Sequence, residues 1–463
     1  MNAAIAVHRF GLADARLDAA AADPRGWLLA QIGPAAPQRG EGLASGVEGL
    51  KRFAEFQQRQ RAAAAAASGP DSSTEQRFAE HFRALVQADV RARLHTAATS
   101  PQPFNERLAL FWANHFTVSM AKASARGLVG AYEREALRPH IGGSFESLLR
   151  SATTHAGMLR YLDNDQSAGP QSDIVRRRAR RPRGDNEPGP RITGLNENLA
   201  REILELHTLG VDGGYTQADV TQFARVLTGW RAPLRELVAA PPGTPTHRFD
   251  PAWHDPGPKT VLGKSYREGP EALGQVLHDL ALHPSTARFV SHKLARHFVA
   301  DEPPPALVSR LQARWLETGG DLPAVYRTLV DSPEAWAPQP AKLKTPEEFV
   351  VSTARLLGLG EQAFERVPDG GITALGQRVQ AAPSPAGWPD RAEDWLGPDA
   401  VWKRVEWATR VSALVGRRID ARALAQASLG PRLQDDTARQ IARAADGPQA
   451  LALLLLSPEF QRR

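Results

Sequence analysis

Apolar residues recur three and four positions apart along most of the chain, which is the spacing of one face of an α-helix. Threonines before two of these segments are typical of helix starts: Thr216 stands three residues before Asp219, and Thr345 immediately precedes Pro346. The clearest helical segments are Glu106–Ser119, Leu195–Leu209, Gln217–Thr228, Thr286–Val299, Thr345–Leu357 and Ala438–Leu456. Strand-like runs are scarce, and only residues 259–266 (KTVLGKSY) favour a short hairpin, around Gly263. The pattern predicts an all-α fold, a large single domain of about a dozen or more helices with long surface loops.

Segments rich in Pro and Gly interrupt the helical pattern at residues 34–46, 167–194 and 239–258. Within the second of them, residues 168–194 form an Arg/Pro-rich stretch that we interpret as an inserted, solvated loop. It has no aromatic residues that could stack on bases, and its arginines do not recur at helical spacing. Binding of phosphate groups is therefore the weaker interpretation. Because these loops do not divide the chain into independent blocks, we expect one domain over residues 1–463. Residues 340–463 are a candidate C-terminal helical subdomain.

Composition narrows the classes of function. The formal net charge is +6, and 49 of the 57 basic residues are Arg. An excess of basic residues can indicate a protein that binds nucleic acid or an anionic membrane. Here, however, the accompanying abundance of Ala, Pro and Gly is typical of the coding bias of a GC-rich genome. We therefore do not expect nucleic acid as a partner. The chain has no Cys, which excludes disulfides, thiolate nucleophiles and Cys-based metal sites.

The sequence also gives an expectation for location. No stretch approaches 18 consecutive apolar residues, so we predict no membrane span. The first residues lack the basic start and apolar run of a secretory signal. We therefore predict a cytoplasmic protein by the absence of a signal peptide, with the periplasm as the alternative.

The helix predicted at 195–209 carries one acid in an unusual position. At 100° per residue, Glu202 falls at the edge of the apolar face, where a carboxylate needs a partner. It is therefore a candidate metal ligand or general acid–base group. The alternative is a structural ion pair with Arg225 or Lys293. His207 lies in the middle of the same apolar face, and we interpret it as a core histidine.

Three other motifs carry candidate chemistry. Residues 111–116, FWANHF, present Trp112, Asn114 and His115 within one helical turn, where Asn could orient a catalytic or ligating His. The alternative is aromatic packing at a helix end. In the loop at 239–258, His254 could complete a site built on helices, or simply form a turn. The rigid PSPAGWP segment (383–389) places Trp388 to wall a pocket or to seal a helix junction.

These motifs define the predicted site. The candidate catalytic residues are Glu202, His115, Asn114 and His254, and a divalent metal would be held by Glu202 and His115. The candidate binding residues are Trp112, Asn196, Glu197, Arg201, Arg225 and Trp388.

Several of the same segments resemble a known family. They are FWANHFTVS (111–119), MLRYLDN (158–164), LNENLAREILELHTLGVDGGYTQADV (195–220), ARVLTGW (224–230), FDPAWHD with KTVLG (249–263) and APSPAGWP (382–389). In this order they resemble the bacterial family DUF 1800, a domain of unknown function, over roughly residues 5–460. The resemblance implies an α-helical protein with no established activity. It also implies a partner, because family members are often encoded beside a sulfatase-like family, DUF 1501.

Two functional hypotheses follow. The first is a metal-assisted hydrolytic enzyme with its site between helices. The alternative is a non-catalytic binding or accessory protein for a sulfatase-like partner. They differ in whether His115, Glu202 and His254 converge on one pocket.

Overall fold

The computed structural model describes residues 1–66, 74–180, 194–234, 236, 239, 241 and 243–463. Within these residues the chain is dominated by α-helices, in agreement with the predicted all-α class. In the first half they are Asn2–Ile5, Pro24–Leu29, Gly46–Ala66, Thr74–Thr99, Pro103–His115, Val129–Tyr132, Phe145–Thr154, Ala156–Tyr161, Asp173–Ala179, Asn198–Glu202 and Gln217–Leu227. In the second half they are Glu271–Leu282, Pro284–Phe298, Pro305–Thr318, Leu322–Asp331, Pro346–Leu356, Gln362–Glu365, Pro398–Val415, Ala421–Leu429, Asp435–Ala442, Gly447–Leu456 and Pro458–Gln461.

Shorter helical turns and four strands complete the secondary structure of this part of the chain. Single 3₁₀ turns form at Asp18–Ala20, Asn164–Gln166, Pro333–Trp336, Thr373–Leu375, Ala392–Trp395, Gly416–Arg418 and Gly430–Arg432. Strand β1 (Trp230–Arg231) pairs antiparallel with β2 (Arg248–Phe249), and β3 (Lys259–Val261) pairs antiparallel with β4 (Lys264–Tyr266). The second pair is the predicted hairpin, with Gly263 at positive φ in its turn.

Three helices pass into a π-helical turn, in which the backbone hydrogen bond spans one more residue than in an α-helix. These turns are Ala6–Phe10, Glu133–Leu137 and Ile203–His207. The third ends the helix that carries Glu202, and the Thr208 hydroxyl closes it by donating to the Ile203 carbonyl at 2.6 Å. Such turns are frequent at functional sites.

Among the described residues, one large apolar core extends through the molecule, and two smaller clusters form around Phe82 and Leu50. The buried members of the large core run from Ile5 to Phe460 and include residues of nearly every long helix. The helix Pro284–Phe298 packs against its successor Pro305–Thr318, and Pro398–Val415 packs against Gly447–Leu456. Among the described residues, no helix has both the length and the apolar character needed to cross a bilayer.

The predicted helix starts at residues 216 and 345 are confirmed. Both threonines form capping boxes, in which the Thr side chain accepts from the third helical amide and the acid at that position accepts from the Thr amide. These reciprocal bonds satisfy donors that a helix start leaves without partners.

Three predicted elements need correction. The helix expected at Glu106–Ser119 ends at His115, where the Thr117 hydroxyl donates to the Asn114 carbonyl and closes the last turn. The helix expected at Ala438–Leu456 is two helices, because Asp446 caps a new start by accepting from the Gln449 amide at 2.8 Å. The segment expected to be a loop at 168–194 contains the helix Asp173–Ala179. Its residues 181–193 lie outside the described residues.

Candidate functional site

A cavity of about 380 Å³ lies where three parts of the fold meet. One wall is the end of the helix Pro103–His115, with Asn114 and His115, and a second is the helix Pro284–Phe298. The segment 377–390 forms the third, with Trp388. The volume falls in the range of pockets that bind small molecules. Two of the predicted motifs, FWANHF and PSPAGWP, thus meet at one cavity.

The Asn114 side chain fixes the PSPAGWP segment to the helix. Its Oδ1 accepts from the Trp388 amide and its Nδ2 donates to the Trp388 carbonyl, both at 2.8 Å. The approach requires Gly387, because φ there is +84° and a Cβ would lie 2.5 Å from the Asn114 carbonyl oxygen. Asn114 therefore holds Trp388 in the cavity wall and has both ends of its amide occupied.

Lys293 is a cation on the cavity wall without a polar partner. Within the described part of the chain its ammonium has no hydrogen-bond or ion-pair partner, and Nζ lies 5.5 Å from the centroid of the Phe289 ring. The pKa of Lys293 is lowered to about 8, chiefly by burial; the charge of Asp390 opposes this shift and that of Arg296 adds to it. A desolvated amine of this kind is typical of functional sites.

Arg296 lies one turn further along the same helix and also lines the cavity. Its Nη2 donates to Nε2 of His292 at 2.7 Å, and its buried Nε has no partner in the described part of the chain. No carboxylate among the described residues pairs with it. Two neighbouring cations therefore line the cavity without an ion-pair partner among the described residues.

The four acids that line the cavity are already paired. Glu133 and Glu347 both bind Arg93, the latter at 2.7 Å. Glu348 binds Arg107 and Arg463, and Asp390 lies 3.9 Å from Lys342 and 3.8 Å from His297. Each of these acids thus has a cationic partner, whereas Lys293 and Arg296 have no ion-pair partner among the described residues.

The pKa values of these acids agree with their pairing. Burial alone would raise the pKa of Glu348, but Arg463 and Arg107 hold it below its usual range. For Asp390, the nearby His297 and Lys342 outweigh burial and lower the pKa to about 2. Both acids are carboxylates at neutral pH.

His115 is a neutral, buried histidine. Its Nε2 donates to the His207 carbonyl at 3.1 Å, while Nδ1 is buried without a partner among the described residues. Burial, together with the charge of Lys293, lowers the pKa of His115 well below its usual range and that of His207 to about 3. His207 is buried in the core, as predicted.

Glu202 lies apart from this cavity. It is not among the lining residues, and neither Arg225 nor Lys293, its predicted partners, forms an ion pair with it within the described residues. Burial and the neighbouring Glu205 raise its pKa, against the opposing charge of Arg201. Glu202 also raises the pKa of Tyr161, which burial has already increased. The acid is thus near Tyr161 and away from His115.

His254 belongs to a separate buried cluster. Its Nδ1 donates to the Thr228 carbonyl at 2.7 Å, and its Nε2 accepts from Lys259 at 2.9 Å. The adjacent Asp255 accepts from Arg225 at 2.6 Å. Since both ring nitrogens of His254 have partners, the cluster has the features of a structural tie between the loop and the helix Gln217–Leu227.

The remaining predicted binding residues support local structure. Trp112 donates to the Tyr326 hydroxyl at 2.6 Å in the core, and Asn196 accepts from the Asn198 amide at the start of the next helix. Arg201 pairs with Glu197 and Glu205 on the same helix, at 3.4 and 3.5 Å.

The structure therefore unites Asn114, His115 and Trp388, and places Glu202 and His254 elsewhere. Within the described ranges, no group of three or more His, Asp or Glu side chains is arranged to hold a metal ion. The sequence interpretation missed Lys293 as a site residue and missed Arg296 altogether. A signal was present, since both lie near the aromatic Phe289 on one helix of a chain with only 8 Lys.

Comparison with known proteins adds the family. No curated protein and no solved structure matches the chain. The profile of the family described as "Protein of unknown function (DUF1800)" matches residues 5–462, essentially the whole chain. The resemblance drawn from the motifs is thereby confirmed, and this chain belongs to the DUF1800 family.

Proposed function

We propose that this protein binds a small organic carboxylate in the cavity between Asn114, Lys293 and Trp388. The observation that carries the proposal is the pairing of charges in the described lining: its four acids have cationic partners, whereas Lys293 and Arg296 have no carboxylate partner among the described residues. A cation held in a partly desolvated wall is costly unless a counter-charge is present. A bound carboxylate supplies that charge and accepts hydrogen bonds from the guanidinium fork of Arg296.

The rest of the lining suits a small organic molecule. Phe111, Phe289 and Trp388 provide apolar surface, and a few polar groups converge between them, which is the usual composition of a ligand pocket. The clamp between Asn114 and Trp388 holds one wall in place before a ligand arrives. Such preorganisation favours binding because less conformational entropy is lost.

Metal-assisted hydrolysis, the first hypothesis from the sequence, has less support. It needs Glu202 and His115 in one site, and Glu202 is not part of the cavity that His115 lines. His254 has both ring nitrogens engaged with Thr228 and Lys259. The charge of the lining favours carboxylate binding instead.

The test is titration calorimetry of the purified protein with propionate and succinate, with thermal unfolding as a second measurement. We expect saturable binding by the wild type, and a stabilisation of about 2.7 kcal/mol at a ligand concentration 100 times Kd. Lys293→Met and Arg296→Met should each weaken binding, because each removes one of the two free cations.

Arg288→Met is the matched control, since Arg288 lies on the same helix but is exposed. It should bind as the wild type does. Failure of both carboxylates to bind the wild type would overturn the proposal and favour the accessory-protein alternative. Equal binding by the Lys293→Met and wild-type proteins would also contradict it.

A further inference from the structure

We propose that Lys293 forms a Schiff base with the carbonyl carbon of a 2-oxo carboxylate bound in the cavity. The inference rests on the proposed function, because Arg296 binds the carboxylate of the same molecule. It goes further by naming the substrate class and a covalent step.

The first argument is the state of the amine. A lysine attacks a carbonyl only as the neutral amine, and enzymes activate it by desolvation or by a neighbouring cation. Lys293 has both, because the cavity wall buries it and Arg296 lies one turn away. With a pKa of about 8, about a tenth of the amine is neutral at pH 7, against about one part in 3,000 for an ordinary lysine.

The second argument is the freedom of Nζ. Among the described residues it makes no hydrogen bond that attack would have to break, and it lies over the apolar ring of Phe289, 5.5 Å from the ring centroid. Two of the three fully buried lysines differ in this respect, and the third, Lys344, has an Nζ without a partner among the described residues but does not line the cavity. Lys259 donates to His254, and Lys342 donates to Asp301. Lys293 is thus the amine of the cavity that is open to a ligand.

The third argument is the spacing of the two cations. Residues three apart on a helix are neighbours on its surface, so Lys293 and Arg296 face the same region of the cavity. A 2-oxo acid has its carbonyl carbon directly bonded to its carboxylate. One small molecule can therefore place its carboxylate on Arg296 and its carbonyl carbon at Lys293.

The reaction balances without another reagent. The lone pair of Nζ forms the N–C bond, and the C=O π electrons move to oxygen. The carbonyl oxygen leaves as water with the two protons of the amine, and a C=N double bond remains. No oxidant or reductant is consumed.

The experiment is reductive trapping. The wild-type protein is incubated with pyruvate and sodium cyanoborohydride, digested, and mapped by mass spectrometry. We expect a reduced adduct on Lys293, with the other seven lysines at background as internal controls. Arg296→Met should need at least about tenfold more pyruvate for the same labelling, since a charge-assisted hydrogen bond is lost. Arg288→Met should label as the wild type does, and Lys293→Arg should not label.

Propionate separates this inference from the proposed function, because it has the carboxylate but no carbonyl. Propionate binding without a pyruvate adduct at Lys293 would overturn the Schiff base and leave carboxylate binding intact. If neither compound binds, both proposals fail. Adducts spread evenly over the surface lysines would also overturn the Schiff base.

Discussion

Each lysine of this chain is informative because arginine outnumbers lysine 49 to 8. Arginine keeps its charge and spreads it over a planar fork, whereas lysine is compact and can lose its proton when buried. Lys259, Lys342 and Lys344 are buried, and Lys293 lines the cavity. Half of the lysines therefore lie where a guanidinium would be bulkier and could not be neutralised.

The residues of the site could be predicted only in part. Asn114, His115 and Trp388 stand in motifs whose composition is unusual over a few residues, so the sequence shows them. The role of Lys293 depends on which acids are already paired, and those pairs join positions far apart, such as Arg93 with Glu347. A local pattern does not contain that information.

Removing the side chain of Arg296 should change the pKa of Lys293. In the Arg296→Met variant we expect the pKa of Lys293 to rise from about 8, because the neighbouring cation that disfavours the ammonium is gone. The pH dependence of acylation of Lys293, followed by peptide mass spectrometry, measures it. Arg288→Met, on the exposed side of the helix, is the comparison. An unchanged or lowered pKa would show that Arg296 does not act on the amine.

The Asn114→Ala variant tests the clamp on Trp388. Two hydrogen bonds at 2.8 Å are lost and the Trp388 amide and carbonyl lose their partners, so we expect the free energy of unfolding to fall by about 1–3 kcal/mol. Urea unfolding measures the change. Asn198→Ala, an exposed asparagine, should change stability by less than about 0.5 kcal/mol. Equal effects of the two substitutions would argue against the clamp.

At the scale of elements, helix positions were predicted well and helix ends less well. The start at Thr345 follows from the Thr-Pro pair at residues 345 and 346, because proline suits the first position of a helix. The end at His115 depends on a hydroxyl of Thr117 that competes with the helix, and apolar spacing continues past it. The spacing of apolar residues does not predict the π turn Ile203–His207, because over five residues an α turn and a π turn present nearly the same apolar face.

Asp219 joins two elements, which gives a prediction at this scale. One carboxylate oxygen completes the capping box with Thr216, and the other accepts from the Leu262 amide in the turn of the β3–β4 hairpin at 2.7 Å. Thr216→Ala should cost about 1 kcal/mol, as for an ordinary cap. Asp219→Ala should cost more, because it also frees the hairpin. Urea unfolding of both variants measures these losses in the free energy of unfolding. Equal losses would mean that the contact between Asp219 and the hairpin does not stabilise the protein.

For the whole molecule, paired charges beside the cavity connect distant segments. Glu348 is bound by Arg107 and Arg463, which lie 241 and 115 positions away. Glu348→Gln keeps the shape but leaves two buried guanidinium groups without their anion. We expect a loss of about 3–5 kcal/mol in the free energy of unfolding. Glu317→Gln, which breaks the exposed pair with Arg314, should cost less than about 1 kcal/mol. Similar losses in the two variants would contradict the role of this cluster.

Buried neutral histidines should make the molecule sensitive to mild acid. The pKa of His207 is lowered to about 3 by burial and by Lys293, whereas in the unfolded chain it lies near 6.5. Between these values the unfolded state binds the extra proton, so the free energy of unfolding falls as the pH falls from about 6.5 towards 3. Burial also lowers the pKa of His115 well below its usual range and that of His297 to about 4, so both histidines act in the same direction.

The His207→Phe variant isolates one of these protons. Below pH 6.5, the free energy of unfolding of this variant should fall less steeply with pH than that of the wild type. The two slopes should differ by about 1.4 kcal/mol per pH unit, the contribution of one proton. Denaturant unfolding at several pH values measures the slope. His278→Phe, at a half-exposed position, reports the effect of losing a surface histidine. An unchanged slope in His207→Phe would show that His207 is not the neutral group assumed here.

Contacts between the two ends of the chain also determine when the N-terminal helix can be buried during synthesis. His8 donates to the carbonyl of Ser428, 420 positions later, and Arg9 donates to that of Ala335. At 5–20 residues per second, a ribosome needs about 20–80 s to make the chain between His8 and its acceptor. During that interval the first helix exists without the surface that buries it. Contacts of such long range are formed slowly, so the nascent chain offers a long period in which chaperones can bind its apolar N-terminal residues.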